Sequence, residues 1–268
     1  MQILKTSIKI GIKKPIKFLH ITDTHLPEYD ENNPANAEER AKRKAFLKES
    51  FDYADKNDLT VIHTGDIMTF CNPDNLKFID ECFKNRDYIF AIGNHDFCKE
   101  GEYGDDPDNV ERNISLVEPH FRSNLFFDSK IFNGELNVVS LSNGFFRITD
   151  AQLDALRTEV DKGLPILLCM HVPIFTHEHA KARMSIGDCA HLLGPSDDFL
   201  SKYPEIFAFH RADNTTLRAI DYIKNVSAIK AIVAGHTHMN YEETFENGLV
   251  QIVTGATFDK YIREITVY

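Results

Sequence analysis

Short apolar runs alternate with longer segments of helical periodicity in the first hundred residues. The runs at 16–22, 59–64 and 88–92 are rich in β-branched and aromatic residues, as expected of strands buried on both faces. Between them, residues 37–54 and 75–84 place apolar side chains on one face among charged ones, which predicts two helices. This alternation of strand and helix predicts a sheet with a parallel core.

The same rhythm returns later in the chain. Apolar runs predict strands at 136–141, 165–170 and 229–234. Thr149 and Gln152 have the T-x-x-Q spacing of a capping box and mark the start of a further helix. The later part of the chain therefore also predicts an α/β fold.

Two segments interrupt the rhythm. Residues 97–123 contain an acidic run at 100–108, which indicates a solvated lid or turn region, and residues 174–214 contain several histidines with little periodicity. We therefore predict a single domain over residues 1–268 with insertions at about 97–123 and 174–214.

Composition narrows the class of protein. The 268 residues are 43% hydrophobic and carry a net charge of −11, which argues against long nucleic acid as a partner, because that needs a basic surface. The five cysteines are odd in number and have no C-x-x-C pair, which indicates reduced thiols and a cytoplasmic location. No apolar run approaches the roughly 18 residues of a membrane span, so no membrane contact is expected. Nothing in the sequence indicates an oligomeric state.

Polar residues that can bind metal ions follow five of the predicted strands. Each alone is an ordinary turn residue or histidine. Together they would meet at the carboxyl ends of the strands, where eight unpaired polar groups would be costly. Imidazole, carboxylate and amide ligands suit Fe, Zn or Mn, and the set fits two ions that share a carboxylate. The residues are Asp23, His25, Asp66, Asn94, His95, His171, His236 and His238.

These residues lie in five short motifs with a fixed order. The motifs are D-x-H (23–25), G-D (65–66), G-N-H-D (93–96), His171 and G-H-x-H (235–238). In this order, each after an apolar strand, they resemble the signature of the calcineurin-like metallophosphoesterases. The resemblance extends over roughly residues 16 to 257. It implies a four-layer α/β/β/α sandwich with two mixed sheets and a metal site at the carboxyl ends of the strands.

The resemblance also implies roles for these residues. It implies two divalent or trivalent transition metal ions, Mn, Fe or Zn, and hydrolysis of a phosphate ester by a metal-bridging hydroxide. His95 would be the catalytic histidine. The implied ligands are Asp23, His25 and His238 for one ion, Asn94, His171 and His236 for the other, and Asp66 as the bridge.

One position departs from the family pattern. Many members continue the second motif as G-D-x-x-D, and this second acid pairs with the catalytic histidine, whereas here the position is Thr69. Two interpretations stay open. Another carboxylate orients His95, with Asp96 the nearest in sequence, or His95 is a weaker general acid. The second case favours good leaving groups such as anhydrides or aryl esters.

The expected function is that of a phosphodiesterase on nucleotides or other small phosphodiesters, with a small-molecule phosphate ester as the partner. A phosphomonoesterase or a pyrophosphatase is the alternative within the enzyme class. A catalytically silent binding scaffold derived from the family is the alternative of another class. Arg183 and Arg211 in the second insertion are candidate substrate ligands, because a guanidinium binds phosphate oxygens in a bidentate way.

Overall fold

Two β-sheets lie face to face at the centre of the chain. The computed structural model describes residues 1–27, 34–187, 191–204 and 211–268. The first sheet is mixed: its last three strands are parallel to one another, and the second strand in the order is antiparallel to the third. The strand order is β1 (Gln2–Ile8), β11 (Tyr261–Val267), β2 (Ile16–Ile21), β3 (Thr60–His63) and β4 (Tyr88–Phe90).

The second sheet has a parallel centre and antiparallel edges. Its four inner strands are parallel, and the strand at each edge is antiparallel to its neighbour. The order is β5 (Phe127–Phe132), β6 (Leu136–Leu141), β7 (Ile166–Cys169), β8 (Ile229–Ala234), β10 (Val250–Val253) and β9 (Tyr241–Thr244). Every residue of β6 is buried, as expected of a strand covered on both faces.

Helices cover the outer face of each sheet. Leu47 and Leu76 belong to the apolar cluster on the first sheet, and Leu153 and Ile223 to that on the second. The predicted capping box starts α4, since Thr149 and Gln152 make both of its reciprocal hydrogen bonds. The α-helices of the described residues are α1 (Pro34–Lys56), α2 (Pro73–Phe83), α3 (Asp108–Val117), α4 (Asp150–Val160), α5 (His177–Ser185), α6 (Asp197–Lys202) and α7 (Asn214–Asn225).

A third apolar cluster fills the space between the sheets. Phe18 and Ile62 from the first sheet share it with Val138, Leu167 and Val233 from the second, and all are buried. Burial of such side chains is the main favourable contribution to folding. The predicted α/β class and the four-layer α/β/β/α sandwich with two mixed sheets are confirmed.

The first insertion differs from the expected solvated lid. It contains α3, and its Phe97, Val117 and Phe121 belong to the buried cluster on the first sheet. Its acidic run is partly fixed in position, because Arg112 forms ion pairs with Glu102 and Asp106. These apolar side chains fix the segment against the domain, although its polar composition at 100–108 suggested a loosely held one.

The second insertion contains α5, α6 and a small apolar cluster of its own. Phe175, Ala180, Leu192, Phe199 and Leu200 form the buried part of this cluster. Among the cysteines, Cys189 lies outside the described residues, and the other four are buried and carry free thiols. None of the helices in the described ranges combines the length and the apolar character that a membrane span needs.

Candidate metal centre

All eight predicted site residues meet at one edge of the two sheets. The loops after β2, β3 and β4 carry Asp23, His25, Asp66, Asn94 and His95, and the loops after β7 and β8 carry the remaining three histidines. Their donor atoms form three overlapping groups, within each of which the atoms lie within 4.8 Å of one another, and hydrogen bonds add Asn94. The groups are Asp23, His25 and His238; His25, Asp66 and His95; and Asp66, His171 and His236.

Five of these residues have left-handed backbone conformations, which are uncommon outside glycine. Such conformations cost of order 1–3 kcal/mol each and concentrate at functional sites. The loops around them are fixed by close contacts: a Cβ at Gly93 would lie 2.2 Å from Asp66 Oδ1, so only glycine fits there. The five are Asp23 (φ 52°), His25 (φ 48°), Asp66 (φ 51°), His236 (φ 68°) and His238 (φ 52°).

The first group of donors surrounds an unsatisfied carboxylate oxygen. Asp23 Oδ1 is buried and has no hydrogen-bond partner among the described residues. It lies 3.4 Å from His238 Nε2, which in turn is 3.2 Å from His25 Nε2. The other oxygen of Asp23 accepts hydrogen bonds from Thr22 Oγ1 and the His236 backbone N–H. A cation is the partner that this arrangement of lone pairs suits.

The third group is built around His171. Its Nε2 is 3.1 Å from Asn94 Oδ1, 3.0 Å from His236 Nδ1 and 3.2 Å from Asp66 Oδ2. Its Nδ1 donates to the Thr64 carbonyl oxygen at 2.6 Å, which is how metal-binding histidines are commonly oriented. Asp66 Oδ2 also lies 3.5 Å from His25 Nε2. This one oxygen therefore lies close to His25 of the first group and to His171 of the third, as a bridging ligand must.

The electrostatics of the site favour a bound cation. Burial lowers the pKa of His25 to about 3 and holds that of His236 well below its usual range, so both rings are neutral and offer lone pairs. Burial also works against a charged His171, but the Asp66 carboxylate outweighs it and raises the pKa of His171 to about 9. The donor set of imidazole nitrogens, carboxylate oxygens and one amide oxygen fits two ions of the Mn, Fe or Zn kind.

His95 faces the same cavity, and no described carboxylate is hydrogen bonded to its side chain. Its ring stands edge-on to that of His25, with centroids 4.9 Å apart, and its Nδ1 has no hydrogen-bond partner among the described residues. The Asp96 carboxylate instead accepts backbone N–H groups of Gly93, Asp66, Ile67 and Met68. The interpretation in which Asp96 orients His95 is therefore wrong, because both Asp96 oxygens are used to fix the loop that carries Asp66.

Four further residues line the cavity, which has a volume of about 210 Å³: Asp105, Arg183, His191 and Thr237. Arg183 and His191 come from the second insertion, so the structure brings Arg183 to the site. The prediction for Arg211 needs correction: its guanidinium pairs with Asp197 at 3.1 Å on the surface, and it does not line the cavity. Asp105 of the first insertion was missed, because in sequence it is one of several acids in a polar run.

Comparison with known proteins agrees with this architecture. A family model described as calcineurin-like phosphoesterase matches residues 16–240. None of the curated proteins matches the chain. Among solved structures, the chain is similar to a dimetal phosphatase from Danio rerio (TM-score 0.54, 13% identity, 91% of this chain and 88% of that one). It is also similar to a purple acid phosphatase from yellow lupin, Lupinus luteus (TM-score 0.52, 16% identity, 90% of this chain and 44% of that one).

At these identities the two structures show a shared fold, whereas the family model covers most of the chain, including every predicted metal ligand. This protein therefore belongs to the calcineurin-like phosphoesterase family and is a metallophosphoesterase, a phosphoric ester hydrolase.

Proposed function

We propose that this chain hydrolyses small phosphate esters at a dinuclear metal centre and that phosphodiesters with good leaving groups are its preferred substrates. The observation that carries the proposal is the position of Asp66 Oδ2, which lies 3.2 Å from His171 Nε2 and 3.5 Å from His25 Nε2. One carboxylate oxygen thus borders two separate sets of ligands. Such an arrangement is what two ions sharing a bridge require.

The proposed ligands are those that the resemblance implies. Asp23, His25 and His238 hold one ion of Mn, Fe or Zn; Asn94, His171 and His236 hold the other; Asp66 bridges them. Two ions bound there would activate a water molecule for attack on phosphorus and neutralise charge on the phosphoryl oxygens.

Two residues of the chain act on the substrate directly. Arg183 lines the cavity and presents a guanidinium, whose paired N–H donors suit two phosphoryl oxygens. His95 lines the same cavity and has an imidazole that can carry a proton. It donates that proton to the departing oxygen, or stabilises the charge that develops there.

Fixed charges favour a phosphodiester over a monoester. Apart from the proposed ligands and His95, the described lining residues include one guanidinium, Arg183, and one carboxylate, Asp105. This balance suits a singly charged diester better than a doubly charged monoester, which the carboxylate would repel. The two similar solved structures are both named as phosphatases, which supports the monoester alternative.

The surroundings of His95 favour good leaving groups. No described carboxylate is hydrogen bonded to its side chain, so its ring is not held as a paired acid would hold it. A leaving group that departs without full protonation then reacts fastest. This observation also favours the pyrophosphatase alternative, because the phosphate released from an anhydride is a good leaving group.

The test uses protein stripped of metal and reloaded with Mn²⁺. We expect bis-p-nitrophenyl phosphate to be hydrolysed faster than p-nitrophenyl phosphate, and aryl diesters much faster than alkyl diesters. A dinucleotide anhydride in the same panel tests the pyrophosphatase. Turnover no higher than that of the His95→Ala variant on every substrate would contradict the proposal. A protein that also retained no metal would support the binding scaffold instead.

A further inference from the structure

Residues 103–105, here called the 103–105 segment, lie directly against two neighbouring residues of the site. Asn94 Nδ2 donates a hydrogen bond of 2.9 Å to Asp105 Oδ1. The other oxygen of Asp105 accepts one of 3.1 Å from the Tyr103 hydroxyl. The segment is itself fixed, because Asn109 Nδ2 in α3 donates to the Tyr103 carbonyl oxygen at 2.7 Å. Both carboxylate oxygens of Asp105 therefore have defined partners.

The bond to Asp105 determines which way the Asn94 amide points. A carboxylate only accepts hydrogen bonds, so it binds the NH₂ end of an amide and leaves the oxygen at the opposite end. In Asn94 that oxygen lies 3.1 Å from His171 Nε2, among the proposed metal ligands. The negative charge of Asp105 also polarises the amide and makes its oxygen a better ligand for a cation.

Gly104 contacts His95, the residue that follows Asn94. A Cβ at position 104 would lie 2.7 Å from His95 Cε1, 2.9 Å from its Nε2 and 3.0 Å from its Nδ1. The backbone of Gly104 is thus packed on the imidazole ring, with no room for a side chain. The ring also meets that of His25 edge-on, with centroids 4.9 Å apart. Packing therefore restricts the rotation of the His95 ring. The carboxylate that would hold this ring in many family members is replaced here by Thr69.

The geometry points to the 103–105 segment as the positioning element of this site: Asp105 orients the Asn94 amide toward the metal ions, and Gly104 fixes the ring of His95. The inference rests on the proposed function, because Asp105 contacts the proposed metal ligand Asn94 and Gly104 contacts the proposed general acid His95. Asp105 and Gly104 are positioning residues, because they act through Asn94 and His95.

Mn²⁺ binding tests the role of Asp105 without any substrate. Metal-free protein is titrated with Mn²⁺ while free Mn²⁺ is followed by electron paramagnetic resonance. The Asp105→Asn side chain can offer either an oxygen or an NH₂ group to Asn94, so it no longer enforces one amide orientation. We expect one of the two dissociation constants to rise by about 10–100-fold, as when the partner of a metal ligand is removed, and the other to stay unchanged.

Asp106→Asn is the matched control. Asp106 is the next residue, and its carboxylate binds Arg112 at 2.7 Å instead of a site residue, so both Mn²⁺ constants should equal those of the wild type. Wild-type constants in Asp105→Asn would overturn the inference and leave the proposed function standing. A wild-type protein that bound no Mn²⁺ would overturn both.

Gly104→Ala tests the contact with His95. Position 104 has an ordinary backbone conformation, so the added methyl group strains only the packing on the ring. We expect kcat to fall at least tenfold with both Mn²⁺ constants unchanged. In a His95→Ala background, the same substitution should leave the residual rate unaltered, because its target is gone. An equal loss in both backgrounds would show that Gly104 acts through something other than His95 and would overturn its assignment.

Discussion

The two insertions both reach the cavity, but they contact different things there. The first places Asp105 and Gly104 against Asn94 and His95, which belong to the site itself. The second places Arg183 in the cavity lining, where a substrate would meet it. We infer that the first insertion controls the geometry of the metals and the acid, whereas the second controls the binding of the substrate. Variants in the two segments should have different kinetic signatures.

The second insertion restricts the motion of the Arg183 guanidinium. Arg183 is only 8% exposed, and its helix α5 starts at a capped N-terminus where Thr176 Oγ1 accepts the His179 backbone N–H. The same hydroxyl donates to Glu243 Oε2 at 2.7 Å, which ties the helix to β9. A buried side chain on an anchored helix has little rotamer freedom left to lose when it binds phosphate.

The largest expected effect is that of His95→Ala, which serves as the reference for the variants in both insertions. His95→Ala should lower kcat by about 10²–10³-fold, because the donor that stabilises the charge developing on the departing p-nitrophenolate oxygen is lost. KM and both Mn²⁺ constants should change little. Steady-state kinetics with bis-p-nitrophenyl phosphate and a Mn²⁺ titration measure these values. His120→Ala is the control, since this histidine binds Asp80 at the surface. Unchanged kcat in His95→Ala would remove His95 from the mechanism.

Arg183→Ala should come next and should separate the two insertions. Loss of hydrogen bonds to a charged group costs about 1.5–3 kcal/mol, so we expect KM to rise roughly 10–150-fold. The Mn²⁺ constants should stay at wild-type values, in contrast to Asp105→Asn. Arg211→Ala serves as the control, because this arginine lies in the same insertion but pairs with Asp197 at the surface. A changed Mn²⁺ affinity in Arg183→Ala would abolish the distinction between the two insertions.

The fold and the meeting of the eight site residues at one edge of the sheets could be predicted because both leave local marks in the sequence. Apolar runs such as 59–64 are followed within one or two residues by polar residues such as Asp66. Parallel strands bring the ends of these runs together. The left-handed conformations of His25 and His236 had no such mark, since histidine adopts them more often than most residues but still rarely, so a histidine in the sequence does not predict one. They follow from the close packing of the loops around the site.

Contacts between distant segments could not be predicted. The bond from Asn94 to Asp105 joins a strand end to a polar run, and nothing in that run distinguishes Asp105 from Asp106. Proximity in sequence misled the interpretation of Asp96, whose carboxylate fixes backbone amides instead of His95. The two arginines had equal support in the sequence, and only the fold places Arg183 in the cavity and Arg211 on the surface.

The two insertions should also differ in their response to acid. Burial, followed by the charge of Arg183, lowers the pKa of His179 to about 4, well below the value of about 6.5 in an unfolded chain. The unfolded state therefore binds a proton first, and stability present above pH 6.5 is lost as the pH falls toward 4, by about 1–3 kcal/mol.

Urea unfolding at pH 7, 5.5 and 4.5 measures this loss. His179→Gln, which cannot take up the proton, should show a shallower decline in the free energy of unfolding than the wild type. His177→Gln, an exposed histidine on the same helix, is the control and should decline as the wild type does. Equal slopes for all three proteins would mean that His179 does not make this insertion acid-sensitive.

The smallest expected effect belongs to Tyr103, and it tests how far the first insertion acts through Asp105. Tyr103 is 63% exposed, and its hydroxyl binds the Asp105 oxygen that does not contact Asn94. Because an exposed hydrogen bond contributes at most about 1 kcal/mol, Tyr103→Phe should weaken one Mn²⁺ site by roughly two- to fivefold. In an Asp105→Ala background the same substitution should have no further effect on Mn²⁺ binding. A loss that persisted there would mean that Tyr103 reaches the site by another route, and the contrast between the insertions would then rest on Gly104 and Asp105 alone.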